Sequence, residues 1–156
     1  ADKRAIINGI NYGNLDIIAT DHAPHTWEEK QNKYFTAPSG LPLVQTALAS
    51  LLTQVNQGKF DLEKIVQKTA HNVADLFQVK KRGYIREGYY ADLVLVNMNK
   101  TQKVKTKNML YQCGWTPYDG EEFTATIEKT WVNGQLKWSD GKIIGEPKGM
   151  ALKYKR

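Results

Sequence analysis

The first twenty residues place apolar positions at helical spacing and then in one continuous run. Three isoleucines within residues 1–14 fall on one helical face, followed by a Gly-Asn stop signal, so the pattern predicts the end of a helix there. Residues 15–20 are nearly all apolar and predict a short buried strand. The next fifteen or so positions, 26–40, are polar and predict a loop, which at that length is more often functional than idle.

Apolar residues return at helical spacing after Gly40. They recur over residues 41–57, and Gly58 follows them, which predicts a helix that ends at this glycine. Ser39 is the expected cap of that helix, and Pro42 suits a position in its first turn. The pattern therefore predicts a long helix directly after the polar loop.

Two shorter helices are predicted from the capping residues Asp61 and Asn72. The first is expected to bury a face made of Leu62, Ile65, Val66 and Ala70. The second is expected to run from its cap at Asn72 to Phe77, beside His71, for which a structural hydrogen bond is favoured over metal binding.

From Gly83 the pattern changes to short alternating runs and turns, which predict strands. The clearest signal is Asn133-Gly134 between two alternating runs, which is typical of a two-residue hairpin. We therefore predict an α/β part over residues 1–79 and a mostly β part over residues 80–156.

Composition narrows the class of protein. The chain has 156 residues, of which 41% are hydrophobic, enough to form a core. No apolar stretch reaches the ~20 residues that a membrane span needs, so we expect no membrane partner. The amino terminus has no apolar segment of secretory type, so a cytoplasmic location is the expectation. Cys113 is the only cysteine, which excludes an internal disulfide and suits a reducing compartment.

The net charge of +6 adds little by itself. Basic residues form modest clusters at 80–82, 103–107 and 148–156, and none interleaves with aromatic residues on a predicted face. Binding of nucleic acid is therefore not expected. A positive field is equally suited to attract a small anionic substrate.

The most informative chemistry lies directly after the predicted strand. Asp21, His22 and His25 fall within five residues, and Pro24 fixes the backbone of the turn between them. Carboxylates and imidazoles at the carboxyl end of a buried strand are typical of the sites of α/β barrels and doubly wound sheets. Asp21 and His25 are the candidate site residues, and His22 is a candidate to orient Asp21.

Several segments together resemble one known superfamily. Residues 18–25 and segments 28–30, 40–45, 68–72, 83–94, 113–120 and 130–134 resemble the amidohydrolase superfamily, and within it the dihydroorotases of the longer-chain type. The resemblance runs along essentially the whole chain. Residues 18–25 are its most specific part, because the related hydantoinases and allantoinases usually vary the residues after the Asp.

The resemblance implies a fold, a reaction and residue roles. The fold is α/β: the carboxyl-terminal part of a (β/α)₈ barrel followed by part of a small β-sandwich. The reaction is the reversible, zinc-dependent hydrolysis of dihydroorotate to N-carbamoyl-aspartate in pyrimidine synthesis. Asp21 would be a metal ligand and would pass a proton from metal-bound hydroxide to the leaving nitrogen. His25 would bind the substrate carboxylate, and Ser39 and Gly40 would line the substrate pocket.

The resemblance also shows what this chain lacks. A (β/α)₈ barrel takes about 250 residues, and the three histidines here form no His-x-His pair. Catalytic zinc takes three protein ligands, of which the chain offers one candidate. We therefore expect the chain alone to be inactive, and either to self-associate as a homo-oligomer or to need the missing amino-terminal barrel segment.

Three alternatives stay open at this stage. One is a hydantoinase or allantoinase, whose distinguishing residues would lie mostly outside this chain. Another is a non-catalytic dihydroorotase-like subunit that supports a partner enzyme. The third is a basic nucleic-acid module, in which Trp115, Trp131 and Trp138 would stack on bases rather than pack in the β part.

Overall fold

A computed structural model describes residues 1–155, with helices in the first half of the chain and strands in the second. The α-helices are α1 (Asp2–Asn11), α2 (Trp27–Lys30), α3 (Ala47–Asn56), α4 (Leu62–Val66) and α5 (Asn72–Leu76). The strands are β1 (Leu93–Asn97), β2 (Gln102–Lys103), β3 (Glu122–Phe123), β4 (Thr126–Val132), β5 (Gln135–Ser139) and β6 (Lys142–Ile143). No helix among residues 1–155 is long and apolar enough to cross a membrane.

The strands form two antiparallel sheets. The larger sheet has four strands in the order β1-β4-β5-β6, and β2 pairs with β3 in a smaller one. The predicted hairpin is confirmed: β4 and β5 pair through a turn in which Asn133 has φ 53° and Gly134 has φ 78°. Two successive residues with positive φ form the tight turn that matches the twist of paired strands.

The helix predicted within residues 1–14 is confirmed as α1, but the strand predicted at 15–20 is wrong. Residues 15–20 adopt no regular secondary structure, and Ile18 N–H donates to the Lys68 carbonyl at 3.0 Å. A strand needs a neighbouring strand to pair with its backbone groups. The described residues provide only the single bridge just beyond this run, between His22 and Leu41.

The prediction of an uninterrupted loop over residues 26–40 is also wrong, because α2 lies within it. Thr26 and Glu29 form a reciprocal capping box: the Thr26 hydroxyl accepts from Glu29 N–H, and the Glu29 carboxylate accepts from Thr26 N–H. This pairing satisfies two amides that would otherwise lack partners. It explains how a single helical turn forms in a polar segment.

The long helix predicted over 41–57 starts later than expected. Residues 43–46 form a turn, and α3 begins at Ala47 after the capping residue Thr46. Ser39 is therefore not its cap, and Pro42 is not in its first turn. The backbone at Leu41 is instead used by the bridge to His22, which is incompatible with a helix starting there.

The two short helices predicted after Gly58 are one continuous helical segment. Asp61 precedes α4 as expected, but the chain passes from α4 through a π-helical turn, Gln67–His71, straight into α5. Asn72 is thus inside the helical segment rather than at a cap, and its Nδ2 donates to the Asp16 carbonyl at 2.7 Å. Ile65 is buried as predicted, whereas Leu62 and Val66 are exposed.

Two small apolar clusters join the helices to each other and to the sheets. Ile10, Phe60 and Ile65 pack between α1 and α4, and Ala49 of α3 packs against Val104 and Phe123 in the β part. Asn56 at the end of α3 reinforces the second contact by donating to the carbonyls of Met98 and Thr124. These contacts hold the helical half against the β-rich half.

Residues 153–155 pair with the segment that follows α5. Val79, just after α5, forms an antiparallel bridge with Tyr154. The backbone N–H of Lys80 donates to the Lys153 carbonyl at 2.7 Å, and that of Lys155 donates to the Gln78 carbonyl at 2.9 Å. The β-rich part is thereby enclosed between two paired segments.

Candidate functional site

The two segments that carry the predicted site residues lie side by side. His22 and Leu41 form a parallel bridge, and Ala23 N–H donates to the Leu41 carbonyl at 3.1 Å. Gly40 has φ 94°, and a Cβ there would lie 2.5 Å from the Ala23 Cβ. Glycine is required at this position, because any side chain would collide with the neighbouring segment.

Asp21 stands at the beginning of this paired region. It is exposed, and its φ of 44° places it in the left-handed region, which costs a non-glycine residue energy and often marks a functional position. Among residues 1–155 its carboxylate accepts no hydrogen bond. The carboxylate is therefore available to a ligand or to a proton in transit.

His22 has a structural contact rather than the expected contact with Asp21. Its Nδ1 accepts hydrogen bonds from the backbone N–H groups of Leu43 and Val44, at 3.0 and 3.2 Å. An imidazole nitrogen that accepts carries no proton, so the proton of the neutral ring is on Nε2. His22 thus fixes the turn that leads into α3.

His25 is held from both sides. Its Nδ1 lies 3.7 Å from the Glu29 carboxylate, and its backbone carbonyl accepts from the Trp115 indole N–H at 2.8 Å. The backbone N–H of His25 donates to the Ala23 carbonyl at 2.9 Å, which closes a tight turn about Pro24. The imidazole remains 38% exposed and can contact a ligand.

The Glu29 carboxylate is held in its charged form. The hydrogen bond from Thr26 N–H lowers the pKa of Glu29, with smaller contributions from the Thr26 hydroxyl and from His25. A carboxylate within the first turn of α2 also complements the partial positive charge of a helix N-terminus. Glu29 therefore acts as an anion beside His25.

Lys30 fixes the loop that contains Ser39 and Gly40. Its Nζ donates to the Pro38 carbonyl at 2.6 Å and to the Gly40 carbonyl at 3.1 Å. Ser39 is exposed between these two anchored carbonyls. The four predicted site residues, Asp21, His25, Ser39 and Gly40, thus come from two segments, 21–25 and 38–41, that are directly paired.

Sequence reasoning missed the aromatic residues that support this site. Tyr111 stacks at a tilt on His22, with ring centroids 5.3 Å apart, and its hydroxyl donates to the Pro42 carbonyl at 3.0 Å. Burial raises the pKa of Tyr111, so the hydroxyl stays a donor. Trp115 packs on Trp27 with ring centroids 5.6 Å apart. For Trp115 the sequence offers the resemblance of residues 113–120 to a family motif and an expectation of packing in the β part. Neither signal indicates its contacts with His25 and Trp27.

A comparison with protein families decides what kind of protein carries this site. The model of the amidohydrolase family matches residues 1–137. The chain belongs to the amidohydrolase family. Among curated amidohydrolases it is similar to the dihydroorotase of Pyrococcus abyssi, with 38% identity over 136 residues, and to that of Halobacterium salinarum, with 39% identity over 144 residues.

These alignments cover most of this amidohydrolase chain but a smaller share of the relatives. They span 87% and 91% of the chain, and 32% and 33% of the two dihydroorotases. The allantoinase of Desulfitobacterium hafniense is 33% identical over 141 residues, which are 90% of this chain and 31% of the relative. The chain therefore spans about a third of the length of the curated relatives it matches.

Solved structures agree with the family. The L-hydantoinase of Arthrobacter aurescens has a TM-score of 0.84 at 26% identity, over 90% of this chain and 32% of the other. A D-hydantoinase from a Thermus species has a TM-score of 0.82 at 24% identity, over 92% and 32%. The predicted fold class, a mixed helix-and-strand part of an amidohydrolase barrel fold, is confirmed.

Family membership suggests a metal cofactor without identifying the metal. Among residues 1–155, no three His, Cys, Asp or Glu side chains come close enough together to hold an ion. A catalytic zinc takes three protein ligands. The described residues of this amidohydrolase therefore do not form a complete metal site by themselves, and no metal-dependent step is assigned to them.

Proposed function

We propose that this chain is part of a dihydroorotase that hydrolyses dihydroorotate reversibly to N-carbamoyl-aspartate, a step of pyrimidine biosynthesis. The main support is the paired arrangement of residues 21–25 and 38–41, since these segments contain all four predicted site residues. The similarity to curated dihydroorotases supports the same choice. The substrate class is a small anionic cyclic amide.

Asp21 is the proposed proton carrier. It would accept the proton that water loses on attacking the amide carbonyl, and it would deliver that proton to the ring nitrogen as the C–N bond breaks. The carboxylate is exposed and accepts no hydrogen bond from residues 1–155, so it is free for both transfers. We also propose Asp21 as one ligand of a zinc ion, with the remaining ligands outside the described residues.

His25, Ser39 and Gly40 are the proposed substrate contacts. His25 is partly exposed and fixed by Trp115, so its ring can donate a hydrogen bond to a substrate carboxylate. Ser39 and Gly40 lie in the loop that Lys30 anchors, which suits them to bind substrate through backbone groups. A pocket whose polar groups are fixed in advance loses less entropy when it binds.

A second candidate is another cyclic-amide hydrolase of the hydantoinase or allantoinase type. The similarity to an allantoinase and the structural similarity to an L-hydantoinase support this second candidate. The two candidates share a reaction type and differ in substrate. Dihydroorotate differs from the substrates of the second candidate in the carboxylate on its ring, which His25 would bind.

Several sequence-based predictions stay predictions. They are a boundary between two parts at residues 79 and 80, a cytoplasmic location, and a homo-oligomer or a further barrel segment as the partner of this chain. We also expect the purified chain to bind no stoichiometric zinc and to lack dihydroorotate hydrolysis. Metal analysis and an activity assay on the same sample would measure both.

The test is a chimera in which this chain replaces the matching third of the Pyrococcus abyssi dihydroorotase. We expect it to hydrolyse dihydroorotate, and Asp21→Asn to lower kcat about 10²- to 10⁴-fold, the usual contribution of a positioned acid–base group. His25→Gln should mainly raise KM for dihydroorotate. His71→Gln, which changes a histidine stacked on Tyr84 outside the site, is the matched control with unchanged activity.

Hydantoin and allantoin are assayed beside dihydroorotate to separate the two candidates. Faster turnover of either one would favour the second candidate. A folded chimera that hydrolyses none of the three, or one whose activity survives Asp21→Asn, would contradict the proposed function.

A further inference from the structure

A small polar cavity lies between the end of α5 and the carboxyl-terminal segment, apart from the candidate site. It has a volume of about 170 Å³, which is roughly that of five or six water molecules in bulk. Four basic residues line it, namely Lys81, Arg82, Arg86 and Lys155, together with one acidic residue, Asp75. The cavity is therefore strongly positive.

The bridge between Val79 and Tyr154 creates this concentration of charge. The sequence separates its basic clusters by about seventy residues, and each is modest alone. The backbone hydrogen bonds from Lys80 to Lys153 and from Lys155 to Gln78 bring the two clusters together. Basic residues from two separate parts of the chain thus line one concave surface, which raises the local concentration of anions.

Within residues 1–155, most of these cations have no carboxylate partner. Arg82 is paired with Asp92 and also donates to Asn133. Asp75 already accepts a hydrogen bond from the Tyr84 hydroxyl at 2.6 Å. Lys81, Arg86 and Lys155 form no ion pair with any residue from 1 to 155. Three positive groups at one cavity are therefore left for a ligand.

Arg86 is held in place by aromatic stacking. Its guanidinium carbon lies 4.0 Å from the centre of the Tyr84 ring. The Tyr84 ring also stacks on His71, with centroids 4.2 Å apart and planes 7° from parallel. A guanidinium fixed by stacking loses less entropy on binding and keeps its donors aligned for a planar pair of oxygens.

We propose that this cavity binds the phosphate or pyrophosphate group of a small phosphorylated molecule. A fixed guanidinium and two ammonium groups match the charge and the bidentate oxygens of phosphate. A single small cavity suits one such group. Binding to a nucleic acid would instead need a groove that follows the backbone past exposed aromatic rings.

Calorimetric titration of the purified chain with pyrophosphate, ATP and inorganic phosphate in about 0.15 M salt tests the proposal. We expect saturable binding of pyrophosphate and ATP, weakened at least tenfold by the double substitution Arg86→Gln with Lys155→Gln. The matched control is Lys103→Gln with Lys107→Gln, which removes the same charge from exposed positions outside the cavity. The control should bind within twofold of the unchanged chain.

Three results would overturn the proposal: no binding of any probe, equal weakening in the control, or tighter binding of a single-stranded oligonucleotide with steep salt dependence. Circular dichroism establishes that each variant is folded. If the double variant does not fold, the single variant Lys81→Gln and amide shifts of Gln78 and Lys155 on addition of pyrophosphate decide the outcome. Because the cavity lies apart from Asp21 and His25, these results are independent of hydrolase activity.

Discussion

Gly40 is the residue on which the pairing of the two site segments depends most directly. Its φ of 94° is unfavourable for any side chain, and the Ala23 Cβ occupies the space that a Cβ would need. The left-handed backbone alone costs an alanine about 1–2 kcal/mol. Overpacking against Ala23 adds about 1–3 kcal/mol.

We predict that Gly40→Ala lowers the free energy of unfolding by about 2–5 kcal/mol, the sum of backbone strain and collision. Gly120→Ala is the matched control, because Gly120 has φ 84° but no atom within 4 Å of the added Cβ. The Gly120→Ala variant should lose only the free energy of unfolding that comes from backbone strain, about 1–2 kcal/mol. Urea unfolding of both variants measures the difference, and equal losses would contradict a collision at Gly40.

Protonation of Glu29 should open the first turn of α2. Because the Thr26 N–H lowers the pKa of Glu29 in the folded chain, its contribution to stability is complete above the ordinary glutamate pKa. That contribution falls as the pH drops through the lowered pKa. The N–H groups of Thr26, Glu29 and Lys30 are hydrogen-bonded in this turn. Their exchange with solvent hydrogen should therefore accelerate in acid relative to neighbouring amides, after correction for the intrinsic pH dependence of exchange.

The control for this prediction is Glu29→Gln. Glutamine keeps an acceptor for the capping box but has no charge to lose. Corrected exchange in α2 should then be independent of pH over the same acid range. A variant that retains the full acid response would show that another group is responsible.

At the scale of secondary-structure elements, the continuous segment from α4 to α5 allows two roles of Asn72 to be distinguished, that of a helix cap and that of a side-chain hydrogen-bond donor. At a helix cap, asparagine and aspartate are nearly equivalent. The side chain of asparagine donates to the Asp16 carbonyl. Aspartate cannot replace it in this role, because its side chain has no N–H group. We predict that Asn72→Asp costs about 1 kcal/mol in urea unfolding, and that Asp61→Asn before α4 costs less than about 0.5 kcal/mol. Similar small losses in both would restore the capping role.

The elements that could be predicted from sequence are those with local causes. The hairpin at Asn133-Gly134 follows from the φ angles that its two residues tolerate, and α1 follows from the spacing of its isoleucines. Residues 15–20 are predicted as a strand because most of them are apolar. Strand formation, however, depends on a neighbouring strand that the described residues do not provide.

The same distinction applies to the site. Asp21, His25, Ser39 and Gly40 could be proposed from motifs along a short stretch of chain. The contact between His25 and Trp115 joins residues 90 positions apart, and no local periodicity indicates such a pair. The anchoring of the loop by Lys30 could not be predicted, because the sequence around a lysine in a polar loop does not indicate which carbonyls its ammonium group will bind.

At the scale of the whole molecule, one apolar surface is left uncovered. A groove along α1 includes Ile6 and Ile7, and a second groove along α3 includes Val44. Both grooves include Ile18 and Leu51, so they are continuous. A large exposed apolar surface favours association.

We therefore predict concentration-dependent self-association of this chain in sedimentation velocity. Ile6→Lys should reduce it, since Ile6 is 55% exposed within the apolar surface. Ile143→Lys is the control, because Ile143 is similarly exposed, at 64%, but lies on β6 outside both grooves. A single monomeric species at every concentration would contradict the prediction.

The bridge between Val79 and Tyr154 encloses nearly half of the chain in a single loop. Closing a loop costs entropy that rises with its length, and the enclosed hairpins offset that cost only once they have formed. During synthesis Tyr154 leaves the ribosome after every strand of both sheets. We therefore expect the sheets to form before the bridge closes around them, so that the positive cavity is present only in molecules that have completed this last step.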